Sequence, residues 1–293
     1  MLRDLMLIIN PYAGRGVSKA AIGTIISLLC SAGYYVTVFY VGEFSPEELA
    51  FRFSKRYNLV VCVGGDGSFS GVVSGLLRCG SSSPIGYIPT GTANDIATTL
   101  SLPKYPAAAV KKIINGKMRK LDIGLFAARY FAYIAAFGAF TSVSYSTPQN
   151  VKKALGHFAY VLGGLAEVSA IKARHTIVIH DGGTIEGHFI FGGVANSTSV
   201  AGFVKLDPMQ VNLDDGVFEI ILVRQPLSPA DFLGILAGTM TRTYDGDNVQ
   251  LLHSSKVKFI FDEDVAWTID GEDGGVHRDV EISNCHRAID IIV

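Results

Sequence analysis

Asp66, Asp95, Asp270 and Glu272 are carboxylates placed in or beside glycine-rich turns, where a side chain can hold a cation or take a proton. Two of them close loops of similar character: Gly64-Gly65-Asp66-Gly67-Ser68 and, after Pro89, Thr90-Gly91-Thr92-Ala93-Asn94-Asp95. A third loop, Asn10-Pro11-Tyr12-Ala13-Gly14-Arg15-Gly16, has the same texture. Glycines let a backbone approach phosphate with no Cβ in the way, and unpaired N–H groups and hydroxyls can then donate to its oxygens. Asp66 repels phosphate unless a metal or a proton mediates, so the first loop implies a cation nearby. A single Gly-Gly-x-Gly also serves as a bare strand-to-helix turn. Repetition of the pattern is what points to phosphate.

The elements that must position these loops are legible from periodicity. Residues 59–63 are a short apolar run, expected of a strand buried on both faces of a parallel sheet. Phe69, Val72, Val73, Leu76 and Leu77 then recur at helical spacing. Residues 5–9 and 35–40 read as further strands, 18–32 as a helix, and 85–88 as the strand feeding the second loop. Ser45-Pro46-Glu47-Glu48 has capping-box form and predicts a helix to about residue 57. Alternating strands and helices up to about residue 119 predict a doubly wound parallel sheet. In such sheets ligands bind at the carboxyl ends of the strands.

Beyond residue 121 the texture changes. Segments around 122–126, 130–140, 175–181, 185–196, 217–223, 256–262, 265–270 and 276–282 are β-rich, with a hairpin connection at Asp181-Gly182-Gly183. Helices are expected at 151–170 and 228–240. The fold class is therefore α/β: a nucleotide-binding domain over 1–121, then a mostly antiparallel β-sandwich domain over 122–293, with the active site in the cleft between them.

The second domain holds the remaining acids. Trp267-Thr268-Ile269-Asp270-Gly271-Glu272 ends a predicted strand, and positions i and i+2 share a face if that strand persists. Close carboxylates raise one pKa, which suits a general base; an acidic surface turn is the plainer alternative. Leu206-Asp207-Pro208 and Asn212-Leu213-Asp214-Asp215-Gly216-Val217 offer oxygens to a hard cation, or equally a solvated turn. His175, His180 and His188 fall in strand-like segments without metal spacing, and no base is placed for Ser68 as a nucleophile.

Gly64-Gly65-Asp66-Gly67-Ser68 with Pro89-Thr90-Gly91-Thr92-Ala93-Asn94-Asp95, the opening Asn10-Pro11-Tyr12-Ala13-Gly14 and the late Asp270-Gly271-Glu272 resemble the diacylglycerol kinase and bacterial lipid kinase family, over essentially the whole chain. The resemblance implies ATP on the three loops, through Asn10, Pro11, Gly14, Gly64, Gly65, Asp66, Gly67, Ser68, Thr90, Gly91, Thr92, Asn94 and Asp95. It places the catalytic base at Asp270 or Glu272, leaving open which. It implies a Mg2+ site with Asp215 as side-chain ligand and the carbonyls of Asn212 and Val217, linked through water to Asp66, Asp95 and Asp122. Ser68 stands where many members carry threonine, and Tyr40-Val41-Gly42-Glu43 lacks a threonine often found there. The rival readings are a NAD kinase-like enzyme acting on a soluble nucleotide and a non-catalytic nucleotide- or lipid-sensing homologue.

Composition bounds the partners. The formal net charge of −1 gives no basis for nucleic-acid binding. Hydrophobic residues make up 49% of 293, with charged residues at 17%, and the mean hydropathy is +0.34. A buried parallel sheet accounts for part of this; a greasy substrate or a membrane-facing patch accounts for the rest. No apolar run approaches the roughly 20 residues of a spanning helix, and 155–171 contains His157 and Glu167. Neither a signal peptide nor a disulfide framework is expected, since Cys30, Cys62, Cys79 and Cys285 are scattered. A cytoplasmic protein touching the membrane surface peripherally, with a lipid substrate, is the resulting expectation; a homodimer is compatible with it.

Overall fold

The computed structural model describes residues 3–14, 16–138, 172–200, 204–205, 211–228, 231, 234–235, 238 and 246–293. The expected helix at 151–170, the apolar run 155–171, Leu206-Asp207-Pro208 and most of the expected helix at 228–240 lie outside the described residues. Among the described residues, no helix is long and apolar enough to cross a membrane.

The chain divides into two compact units, Met1–Ile123 with Cys285–Val293, and Gly124–Asn284. The expected second domain ran unbroken from 122 to 293, whereas the last nine residues return to the first unit. The reason is strand pairing: Ile291 pairs in parallel with Ile85, and Lys117 and Val293 exchange both backbone hydrogen bonds at 2.9 and 3.0 Å.

In the first unit, β1 (Arg3–Ile9), β2 (Tyr34–Tyr40), β3 (Leu59–Gly64) and β4 (Ile85–Pro89) form a parallel sheet in the order β2-β1-β3-β4. Helices α1 (Lys19–Ser31), α2 (Pro46–Phe53), α3 (Asp66–Cys79), α4 (Asp95–Thr99) and α5 (Pro106–Asn115) complete it. Leu5, Leu7, Ile9, Val61 and Val63 pack on Ile25, Leu29, Val110 and Ile113 of α1 and α5. The opposite face carries Met6, Ile8, Val60 and Cys62, all buried. α2 lies hard against α3, because a Cβ on Gly75 would stand 2.4 Å from the Glu47 carbonyl oxygen. Ser45 and Glu48 form the expected capping box, but α2 stops at Phe53 and a single 3-10 turn, Ser54–Arg56, finishes the segment.

The second unit is built from the end of β5 (Met118–Phe126) with β6 (Arg129–Phe131), β7 (Ile134–Gly138), β8 (Arg174–His180), β9 (Gly183–Ala195), the short pair β10 (Ser199–Val200) and β11 (Val204–Lys205), β12 (Phe218–Arg224), β13 (Val249–Ser254), β14 (Lys256–Ile269) and most of β15 (Glu272–Ile292). The strand order is β13-β12-β9, then β7 and β8 end to end, then β14-β15-β5-β6. Phe131 of β6 nonetheless lies 5.6 Å, ring to ring, from Phe218 of β12 at the far side of that order. The sheet therefore rolls over on itself. Its inside is an aromatic core centred on the fully buried Trp267, with Phe126, Phe137 and Phe259 at 5.0 to 5.2 Å.

Candidate active site

The order β2-β1-β3-β4 reverses direction between β1 and β3, the switch point where an open α/β sheet leaves a crevice beyond its carboxyl ends. The three glycine loops emerge there side by side. Asn10 N–H donates to Val63 O at 2.9 Å and Thr90 N–H to Gly64 O at 2.8 Å, so each loop begins paired to its neighbour. Asn10 Nδ2 then donates to Ser68 Oγ at 2.8 Å.

Glycine is required at two of these positions by close backbone approach. A Cβ on Gly14, whose φ is +59°, would lie 2.4 Å from Thr90 O; one on Gly91 would lie 2.6 Å from Gly65 Cα. α3 begins at Asp66, with Gly65 as an N-cap that supplies no side-chain acceptor. The first-turn N–H groups of Gly67 and Ser68 are thus available to an anion. Thr90 Oγ1 is enclosed with no partner among the described residues.

Asn94 behaves differently. It adopts φ +55°, and its amide is spent on its own loop: Oδ1 accepts from Gly91 N–H at 2.9 Å and Nδ2 donates to Gly91 O at 2.8 Å. It shapes the second loop, and Thr92 is left exposed at the tip. Asn10 Oδ1 likewise accepts from Tyr12 N–H at 3.0 Å, folding the first loop around Pro11.

Asp66 and Asp95 form a carboxylate pair. Asp66 accepts from the N–H groups of Asp95 and Ile96 at 3.1 and 3.2 Å. Burial still pushes the Asp66 carboxyl above its usual range, against those hydrogen bonds. Burial, and then the charge of Asp66, push Asp95 up to about 6. Two carboxylates raised by burial beside glycine loops fit Mg2+, which is commonly held by one or two carboxylates together with substrate phosphates and water. Among the described residues no three acidic, histidine or cysteine side chains gather as a closed metal site. Asp122, fully buried in the same unit, accepts from Arg287 N–H at 2.6 Å, so its carboxylate braces the returning chain end.

In the second unit the strand expected to carry both Asp270 and Glu272 does not persist. Ile269 pairs with Glu272, and Asp270-Gly271, at φ +50° and +82°, is the two-residue hairpin turn between β14 and β15. Asp270 is only 6% exposed. Its carboxylate accepts from Ala132, Tyr133 and Ile134 N–H at 2.6, 3.0 and 3.0 Å. Glu272 begins β15 with its side chain exposed. The turn alternative was right about the conformation and wrong about the surface, since the aspartate points inward.

Asn212, Asp215 and Val217 lie on one tight loop, where Asp215 Oδ1 accepts from Val217 N–H at 3.1 Å. Asn196 Nδ2 holds the loop by donating to Leu213 O at 3.4 Å. Sequence reasoning passed over Glu219, two residues beyond, which is 4% exposed. Burial, then the charge of Asp215, raise its carboxyl to about 8. Its signal was an acid within the apolar run 218–223.

Comparison with known proteins now decides the family. Residues 4–126 match the diacylglycerol kinase catalytic domain. A diacylglycerol kinase of Staphylococcus saprophyticus subsp. saprophyticus is 31% identical over 283 residues, covering 94% of this chain and 90% of that protein. The chain belongs to the diacylglycerol kinase family. A diacylglycerol kinase of Bacillus subtilis is 29% identical over 299 residues, covering 100% of this chain and 97% of its own. A solved structure from Bacillus anthracis str. Sterne superposes with a TM-score of 0.83 at 21% identity, covering 99% of this chain and 96% of that one, and establishes the likeness of fold. This member of the diacylglycerol kinase family keeps the two-domain α/β architecture.

Proposed function

We propose that this chain is an ATP-dependent lipid kinase that passes the γ-phosphate of ATP to the hydroxyl of a lipid alcohol of the diacylglycerol type. The observation that carries this reading is the convergence of three glycine loops at the β1/β3 switch point, beside the Asp66 and Asp95 carboxyls that burial raises. The N–H groups of Gly67 and Ser68, with the hydroxyl of Thr90, bind phosphate oxygens; Gly14, Gly65 and Gly91 keep the loops close enough to do so. Asp66 and Asp95 would hold Mg2+, which, when bound, neutralises charge on the transferring phosphoryl group.

Glu272 is the proton acceptor in this reading and Asp270 its positioning residue. A carboxylate already taking three peptide N–H donors is a weak base, because those bonds favour the ionised form. Glu272 has no such donors among the described residues and sits one residue past the rigid turn. The nucleotide reading rests on the first unit and the proton acceptor on the second. The 49% hydrophobic content supports a substrate with an acyl tail and work at a membrane surface from the cytoplasm.

The test is phosphate transfer from labelled ATP to detergent-dispersed diacylglycerol, other lipid alcohols and NAD, with Mg2+ supplied or chelated. Magnesium-dependent labelling of a lipid alcohol is expected. Labelling of NAD alone would establish the soluble-nucleotide reading instead, and ATP binding without transfer would leave an acceptor outside the panel or a sensor. Glu272→Gln should lower kcat by about 10²–10⁴-fold with an unchanged melting temperature; full activity in that variant removes Glu272 as the base.

A further inference from the structure

Glu219 stands in β12 with alternate neighbours of opposite character. Phe218, Ile220 and Leu222 face the aromatic core, so Glu219 shares the other face with Ile221 and Val223. It is paired with Ala195 of β9 and His253 of β13. Ala195 is too small to offer it a partner. His253 is exposed and makes no hydrogen bond to it. Glu219 Oε2 is completely enclosed and has no hydrogen-bond partner among the described residues. Protonation would not repair this, since a neutral carboxyl brings an O–H donor that also needs a partner.

The loop 211–217 lies immediately before this strand. Asn196, next to the residue paired with Glu219, holds the loop through Leu213 O. Asp215 is pinned by Val217 N–H through one oxygen, leaving its other oxygen available, and its charge is felt at Glu219. An exposed carboxylate on the loop, Asp215, and a buried carboxylate without a hydrogen-bond partner, Glu219, therefore lie four residues apart on a loop and the strand it enters.

We propose that Glu219 is a direct ligand of a hard divalent cation held by the 212–217 loop, so that this cation is bound by two carboxylates, Asp215 and Glu219, instead of one. The inference rests on reading Asn212, Asp215 and Val217 as a cation site, and extends it by a residue that lies outside the motif. A second carboxylate raises affinity and admits a larger ion, because Ca2+ accepts more oxygens at longer distance than Mg2+.

The experiment is calorimetric titration of the full chain with MgCl2 or CaCl2 alone, without nucleotide, in an Asp66→Asn background that removes the first unit's cation. The reference should bind Mg2+ and Ca2+, and Asp215→Asn should abolish binding. Glu219→Gln should weaken it by about 10- to 100-fold and weaken Ca2+ more than Mg2+. Melting temperature gives a readout free of activity. Metal-free Glu219→Gln should melt close to the reference, and it should lose the rise that cation gives the reference. If Asp215→Asn binds normally, the loop is no cation site and the underlying reading fails. If Asp215→Asn loses binding while Glu219→Gln retains it, only the role of Glu219 fails. Glu219→Leu repeats the test with an apolar side chain. Failure of both Glu219 variants to fold without metal would make Glu219 a structural residue and overturn the proposal.

Discussion

Asp66 in the first unit and Asp270 in the second each follow a β-strand into a glycine turn, and each is withdrawn from solvent, yet they are furnished in opposite ways. Asp66 accepts from the N–H groups of Asp95 and Ile96 at 3.1 and 3.2 Å, with Asn94 and its own N–H adding to them, and burial still outweighs all of these, so its carboxyl is raised. Asp270 takes three, at 2.6 to 3.0 Å, from consecutive residues of the neighbouring chain segment. An acid whose donors, at 3.1 Å and beyond, do not offset its burial is open to a cation; an acid gripped by three consecutive N–H groups at 2.6 to 3.0 Å is already bound within the fold. The same Asp-Gly dipeptide can therefore mark a ligand site or an internal brace, and donor supply distinguishes them.

The largest expected effect falls on the brace. Asp270→Ala leaves the N–H groups of Ala132, Tyr133 and Ile134 without their acceptor and places alanine at φ +50°. Each buried N–H left unpaired costs about 1–3 kcal/mol, so the loss should be about 3 kcal/mol or more. Calorimetric melting should show the second unit unfolding at markedly lower temperature. A variant that melts like the wild type would erase the contrast with Asp66.

Asp66→Asn is the reciprocal test. Removing this charge should hold or raise the melting temperature of the metal-free chain, because burial already disfavours the ionised form. Phosphate transfer should fall by about 10²–10³-fold, the scale on which one electrostatic contact to a reacting centre acts. If Asp66→Asn instead lost stability and kept activity, Asp66 would be a brace like Asp270.

Much of this arrangement was legible in the sequence, and the gaps have physical causes. The glycine loops were readable because apolar runs such as 59–63 and helical spacing from Phe69 are local signals, and β3 and α3 lie where they pointed. The capping box at Ser45 was equally local. Strand pairing at long range was not. Residues 284–292 carry little periodicity beyond Ile289 and Ile291, and their place beside β4 is set by a partner some 200 positions earlier. Segments 256–262 and 265–270 read as two strands, whereas β14 runs through both with a register shift between Ile260 and Val265. β13 went unnoticed because Val249–Ser254 alternates weakly and lies at the edge of the sheet. At the site itself, sequence found the acids and could not say which way they face. Asp270 turns inward because Asp-Gly adopts a two-residue turn, and only the position of residues 132–134 supplies its donors.

The smallest effect in the comparison is a pH dependence confined to the first unit. Asp95 is raised from 3.8 to about 6, by burial and then by the charge of Asp66. With the folded value above the unfolded one, the native state binds more protons than the unfolded state between these values. The contribution of Asp95 to stability is therefore greatest below about pH 4 and is lost as pH rises to about 6. Glu219, raised to about 8, extends the decline of the wild type to higher pH, so the informative quantity is the difference between wild type and Asp95→Asn. In metal-free protein that difference in melting temperature should move in favour of the variant between about pH 4 and 6 and then stay level. Saturating Mg2+ should reverse it above pH 6, since a bound cation favours the ionised carboxylate that the variant lacks. A difference that ignores both pH and Mg2+ would mean that Asp95 is as fully served by the fold as Asp270, and the contrast between the two acids would collapse to one of position alone.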